Sequence, residues 1–237
     1  GRNAIGIRAE VAVGENVRPA GQDIKHGERI LQSGTVLGAA EIGVLASLGY
    51  SGVKVVRRPL VAVLATGDEL IEPEEAYVPE KIYNSNGHSV AAEVVRAGGR
   101  PKMLGIARDN LESLEAKLRE GLESDLLITT AGVSKGDYDI VKDVLAKQGN
   151  IEFWSVRMRP AKPLAFGVLN KENGGSVPII GLPGNPVSAL VAFQQFCIAA
   201  INKMMGRPTK NFNTLEAILD DDIYNHDGRR VYARVKV

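Results

Sequence analysis

The chain has 237 residues, 44% hydrophobic and 24% charged, a globular composition with ample apolar material for a core. Twenty-nine basic against twenty-eight acidic residues leave +1, so no long-range field draws it to nucleic acid or a lipid surface, and any anion must be captured locally. The single cysteine, Cys197, excludes a disulfide framework and a thiolate metal site, which suits a reducing cytoplasmic setting, and no window approaches eighteen uncharged apolar residues.

The opening GRNAIGIRAE alternates like a strand with no start signal, which reads as a piece of a longer chain. Residues 1–57 form a mixed, strand-rich and turn-rich segment with one helix expected from Ala39 to Leu48. From Leu60 the pattern predicts strand 60–65, helix 86–97, strand 102–107, helix 110–121, strand 125–130 and helix 139–147. Strands near 151–156, 164–169 and 177–181 follow, then a long helix from Pro186 to about Met205. This alternation predicts an α/β core over 58–206, a doubly wound and mostly parallel sheet with helices on both faces. Asp109 with Glu112 reads as a capping box, and Asn185 before Pro186 as an N-cap with proline at the first helical position. After Gly206-Arg207-Pro208 strand character returns, so 207–237 is expected to begin a small C-terminal β domain that is cut off.

The chemistry concentrates where strands end. Leu126–Thr130 is a strand run that must turn at Ala131 and Gly132; Ser134 and Gly136 leave backbone N–H groups free near a helix start, and Asp137 and Asp139 offer hard oxygen ligands. In a doubly wound sheet ligands bind outside the carboxyl ends of the strands. Parallel strands would put Thr66–Glu69, Arg108-Asp109, Thr130–Asp139 and Gly181–Pro186 on one rim, with Asp68, Glu69, Asp137 and Asp139 in mutual reach. Each feature also has a plainer reading. Asp68, Asp137 and Asp139 can be caps, PGNP a tight turn, Arg159 and Lys162 a solvated basic surface, and Arg18 with Asp23 a salt bridge. His26, His88 and His226 have no ligand partners at metal spacing, Trp154 and Phe153 read as core or interface anchors, and Cys197 as a small buried apolar residue.

TGDEL at 66–70, AGVSKGDYD at 131–139, MRPAKP at 158–163 and GLPGNPVSAL at 181–190, with VRPAGQDI at 17–24 upstream, occur in an order that resembles the molybdopterin molybdenumtransferase family, that of MoeA and the gephyrin E domain. The resemblance implies insertion of molybdenum from molybdate into adenylylated molybdopterin, with release of AMP and a divalent cation such as Mg²⁺. It also implies a homodimer whose cleft the second subunit completes, with neither nucleic acid nor membrane as partner. It implies catalytic roles for Asp68, Glu69, Ser134, Asp139 and Lys162. Cofactor contacts would come from Thr66, Gly67, Asn84, Ser85, Gly132, Val133, Gly136, Pro183, Gly184, Asn185 and Ser188. Oxyanion contacts would come from Arg159, Lys162, Pro163 and Arg229, the last in a DGRRVYARV segment similar to the family's final domain. Asp137, Asp139 and Glu69 would hold the metal, while Asp68 or Asp139 could instead orient the attacking oxygen. Against the family pattern, Ala131 and Ala161 stand where glycine is common, Arg159 where lysine is, Asn84 where aspartate is, and Lys135 where an apolar residue is. The rival readings are tungstate insertion, a CinA-like nucleotide-processing relative, and a non-catalytic pterin-binding dimeric scaffold. The GVSKGDYD loop and the PAKP segment argue against the CinA-like reading.

Overall fold

The structure, a computed structural model, describes residues 3, 5–6, 8–131, 149–207, 214–225 and 227–235. Its contacts divide the chain into two compact units, Gly1–Val53 and Lys54–Val237. In the first, helix α1 spans Ala39–Ser47 and is capped where the Gly38 N–H donates to Glu41 Oε2 at 2.8 Å. The expected strand character of this region is not seen among its described residues. Val11, Val13 and Val17 alternate but lie exposed, and alternation gives a strand only where a second backbone edge can pair with it. Arg18 and Asp23 make the anticipated surface ion pair, Nη1 to Oδ2 at 3.5 Å.

The second unit is built on a six-stranded sheet. Its strands are β1 (Leu60–Thr66), β4 (Arg100–Ala107), β5 (Leu126–Thr130), β6 (Gly149–Ser155), β8 (Pro163–Asn170) and β9 (Ser176–Leu182), in the spatial order β4-β1-β5-β9-β8-β6. The β1–β4, β1–β5 and β5–β9 pairings are parallel, while β8 runs antiparallel to both β9 and β6. The connection between β8 and β9 explains the change of direction. Lys171 N donates to Gly175 O at 2.7 Å, and a turn this short can join only antiparallel strands. Short ribbons β2 (Leu70–Ile71) with β3 (Ile82–Tyr83), and β7 (Met158–Arg159) with β10 (Arg230–Val231), complete the pairing.

Period-two alternation divides the central strands between two apolar layers. Val61, Val63, Leu126, Ile128, Ile180 and Leu182 pack under helix α2 (Ser85–Arg96) and the run from Pro186 to Met204. Ala62, Leu64, Leu104, Leu127 and Ile179 pack under helix α3 (Leu111–Gly121) through Leu114 and Leu118. Fully burying one such large side chain contributes roughly 1.5–3 kcal/mol, so these layers dominate the stability of the unit. Against the expectation that no window approaches eighteen apolar residues, the Pro186–Met204 run is apolar and long enough to cross a membrane by length and composition alone, with mean hydropathy 1.3. Here Ala189, Ala192, Phe193, Cys197 and Ile201 are buried against the sheet. The run comprises α4 (Pro186–Ala192), a π-helical turn (Phe193–Cys197) and α5 (Ile198–Met204). At the far edge Trp154 of β6 is 55% exposed, so it does not act as a core anchor.

One expected cap moves by a residue. Asn110, not Asp109, caps α3, its Oδ1 accepting from Ser113 N at 2.9 Å. Asp109 is withdrawn from that role because its carboxylate is bonded to another strand's turn. The expected helix at 139–147 lies outside the described residues.

Candidate active site

The strand order places a switch point between β1 and β5. From β1 the chain crosses through α2 to β4 on one side, then through α3 to β5 on the other. The carboxyl ends of β1, β5 and β9 therefore open onto one rim, the place where such sheets bind ligands. At this rim the buried Thr66 donates from Oγ1 to the Thr130 carbonyl at 3.4 Å. The antiparallel β8 joins from the opposite direction. Because Ala165 pairs with Gly181 across antiparallel strands, the start of β8 at Pro163, with Lys162 just before it, lies at the end of β9 near Leu182.

The turn after β1 is tied down by its neighbours. Gly67 has φ +142°, and a Cβ there would sit 2.4 Å from a Glu69 carboxylate oxygen, so Glu69 folds back over a position only glycine leaves open. Asp68 N donates to Asp109 Oδ2 and Asp109 N donates to Asp68 Oδ1, both at 3.1 Å. Lys81 Nζ donates to the Asp68 carbonyl at 2.6 Å, and Arg108 donates to the Leu70 carbonyl at 2.8 Å. Glu69 makes no side-chain hydrogen bond among the described residues and is exposed.

Two helix starts meet at the same rim. Asn84, 1% exposed, caps α2 by accepting from Gly87 N at 2.9 Å, and its Nδ2 donates to Glu72 at 3.0 Å. Its amide is therefore engaged within the protein at both ends. Ser85 is the exposed first residue of α2. Asn185 caps α4, as read from the sequence, with Oδ1 accepting from Ser188 N at 3.2 Å. Asn86, which the sequence did not single out, donates from Nδ2 to the Gly184 carbonyl at 2.6 Å and so joins the two helix starts. The buried Oδ1 of Asn86 has no partner among the described residues.

A cavity of about 330 Å³ is lined by Met158, Pro160, Ala161, Lys162, Pro163, Pro183, Gly184, Asn185, Ser188 and Arg229. It unites the MRPAKP segment, the GLPGNP turn and the DGRR segment, whose strand β10 pairs with β7. Lys162 and Arg229 supply its cations. The Arg229 guanidinium is gripped by Asp227, Nε to Oδ2 at 2.6 Å with Nη2 also in contact, and the backbone N–H of Arg229 donates to Oδ1 at 3.1 Å. These bonds hold the Asp227 carboxyl down at about 2. Arg159 does not line this cavity. It lines a second one of about 480 Å³ on the other side of Pro160, with Tyr224 and Tyr232.

Among the expected site residues, the rim gathers Thr66, Gly67, Asp68 and Glu69, and the cavity gathers Lys162, Pro163, Pro183, Gly184, Asn185, Ser188 and Arg229. Gly132, Val133, Ser134, Gly136, Asp137 and Asp139 lie outside the described residues. Ala131 and Ala161 both stand at φ +70°, a backbone region in which glycine carries no steric penalty. Asn86 and Asp227 were missed, and Asp109, expected on the rim beside Arg108, was read as a cap rather than as the partner of Asp68. The run Asn84-Ser85-Asn86 offers three candidate caps in a row, and Asp227-Gly228-Arg229 has the composition of a turn, so sequence alone gave little reason to choose among them.

Residues 1–49 match the family described as "MoeA N-terminal region (domain I and II)". The chain is 40% identical over 194 residues to the molybdopterin molybdenumtransferase of Haemophilus influenzae, covering 81% of this chain and 47% of that protein. It is 36% identical over 231 residues to the molybdopterin molybdenumtransferase of Nostoc sp., covering 96% and 52%. The crystal structure of the molybdopterin biosynthesis MoeA protein from Pyrococcus horikosii superposes with a TM-score of 0.69 at 30% identity, over 79% of this chain and 46% of that one. The chain thus spans about half the length of the curated relatives it matches. Residues 62–203, more than half of the sequence and nearly all of the sheet and its helices, match the family described as "Probable molybdopterin binding domain", and the chain belongs to that family.

Proposed function

We propose that the protein is a molybdopterin molybdenumtransferase, which takes molybdenum from molybdate into adenylylated molybdopterin and releases AMP. The observation that carries this reading is the cavity in which Lys162 and Arg229 face the Pro183–Ser188 turn. A tetrahedral dianion needs fixed cations and donors, and an ammonium with a half-committed guanidinium supplies both. On the reading the sequence supports, the exposed Glu69, with Asp137 and Asp139, would hold Mg²⁺, since carboxylate oxygens suit a hard cation. Among the described residues no three acidic, histidine or cysteine side chains cluster tightly enough to bind a metal. When bound, the cation neutralises the leaving phosphate.

The remaining work belongs to the chain's own residues. Lys162 and Arg229 capture the oxyanion, Asn185 and Ser188 bound its cavity, and the turn after β1 presents Glu69. A homodimer, a cytoplasmic location and a C-terminal β domain beginning near 207 belong to the same reading. The test is release of AMP from adenylylated molybdopterin with molybdate and Mg²⁺ present. Asp139→Asn is expected to abolish release while leaving the fold intact. If the chain binds the adenylylated pterin yet never releases AMP, the scaffold reading replaces this one.

A further inference from the structure

We propose that Asp109 is a positioning residue, which holds the Thr66–Glu69 turn in place for the reaction through a reciprocal pair of peptide-to-carboxylate hydrogen bonds with Asp68. The functional part of this inference rests on the proposed transferase reading. The hydrogen-bond part stands on geometry alone.

Two carboxylates brought near each other normally repel, yet here each accepts the other's backbone N–H at 3.1 Å. The repulsion is offset by two cations set on the same turn, Lys81 Nζ on the Asp68 carbonyl and Arg108 on the Leu70 and Asp68 carbonyls. Three side chains from two neighbouring segments, Lys81, Arg108 and Asp109, thus fix the turn. The arrangement divides the labour between the adjacent acids of TGDEL. Asp68 Oδ1 is bonded to Asp109 N, whereas Glu69 lies over Gly67 and makes no side-chain hydrogen bond among the described residues. Asp109 does not approach a ligand in this scheme. It keeps the turn after β1 from drifting away from the rim, and so keeps Glu69 at the switch point.

The role requires a hydrogen-bond acceptor and not a charge, which separates it from metal ligation. An asparagine retains an acceptor for the Asp68 N–H, whereas an alanine does not. On the full chain, Asp109→Ala is expected to lower the kcat of AMP release at least 10-fold with little change in the KM for adenylylated molybdopterin. Asp109→Asn is expected to recover activity to within about 3-fold of wild type. A second readout needs no turnover. In amide hydrogen exchange of the wild type followed by NMR, the Asp68 and Asp109 amides should both be protected. In Asp109→Ala the Asp68 amide should exchange about 10-fold faster or more, while in Asp109→Asn it should stay within about 3-fold of wild type. An Asp68 amide that exchanges equally fast in the wild type and in Asp109→Ala overturns the clamp. Equal loss of activity in the Asn and Ala variants overturns the positioning role in favour of a charge. A wild type that releases no AMP overturns the positioning role along with the transferase reading, while the NMR result still decides the clamp.

Discussion

Asn86 Nδ2 lies 2.6 Å from the Gly184 carbonyl, so one side chain fastens the first turn of α2 to the turn that opens α4. Gly184 also lies close to Ala131, since a Cβ added at Gly184 would come within 3.3 Å of the Ala131 Cβ. Removing the amide in Asn86→Ala should cost about 1 kcal/mol, the net worth of one hydrogen bond, measurable by denaturant unfolding. The accompanying loss of grip on Pro183–Asn185 should weaken ligand capture more than it weakens the fold. A variant with normal stability and normal binding would speak against this fastening.

Lys162→Ala should weaken capture of molybdate while leaving the fold untouched, because the ammonium is exposed and makes no ion pair among the described residues. Asp227→Asn should act in the opposite direction, releasing the Arg229 guanidinium from its carboxylate. The Asp227 carboxyl is depressed to about 2, first by the side-chain bond to Arg229. A depressed acid stabilises above its ordinary range and loses that contribution as pH falls through the lowered value. The pair therefore stays intact above about pH 4, and oxyanion affinity measured by calorimetry should show no step from Asp227 between pH 5 and 8.

Replacing the two left-handed alanines separates strain from packing. An L-residue at positive φ costs roughly 1–2 kcal/mol, and glycine returns about half of that as lost chain entropy. Ala131→Gly, at a half-buried position, should stabilise by about 0.5–1 kcal/mol. Ala161 is 4% exposed, so deleting its methyl forfeits roughly 0.8 kcal/mol of burial, and Ala161→Gly should come out near neutral. Thermal unfolding of the two single variants checks the difference.

Acid should loosen the base of β1. The Asp125 carboxylate accepts from both ends of the Arg57 guanidinium at 2.5 and 2.6 Å and from Leu60 N at 2.7 Å. The Arg57 bond, foremost, lowers its pKa. Its contribution is complete above the ordinary aspartate range and disappears as pH falls through the lowered value. Asp125→Asn should be less stable than wild type at pH 7 and lose less on acidification, in unfolding curves collected from pH 7 to pH 3.

The sheet was legible because its strands obey simple patterns. Leu60–Thr66 and Leu126–Thr130 are unbroken apolar or β-branched runs, and both are covered on two faces. Asn185-Pro186 is an unambiguous helix start, and the structure uses it as one. The direction of β8 and β6 was not legible, since apolar periodicity is the same for parallel and antiparallel strands. Asp109 misled for a related reason. A capping box is a local pattern, and the competing bond to Asp68 comes from 41 residues earlier in the sequence. The cavity needed both lessons. MRPAKP and PGNP were recognised as separate motifs, and only the reversal of β8 explains how they come to face each other.

That reversal also sends the Lys171–Gly175 turn to the opposite end of the sheet, a full strand length from Lys162 and Pro183. A fluorophore or affinity tag grafted onto this turn would hang clear of every ligand-facing group described above. The hairpin thereby gives the experimenter a handle whose attachment leaves the chemistry alone.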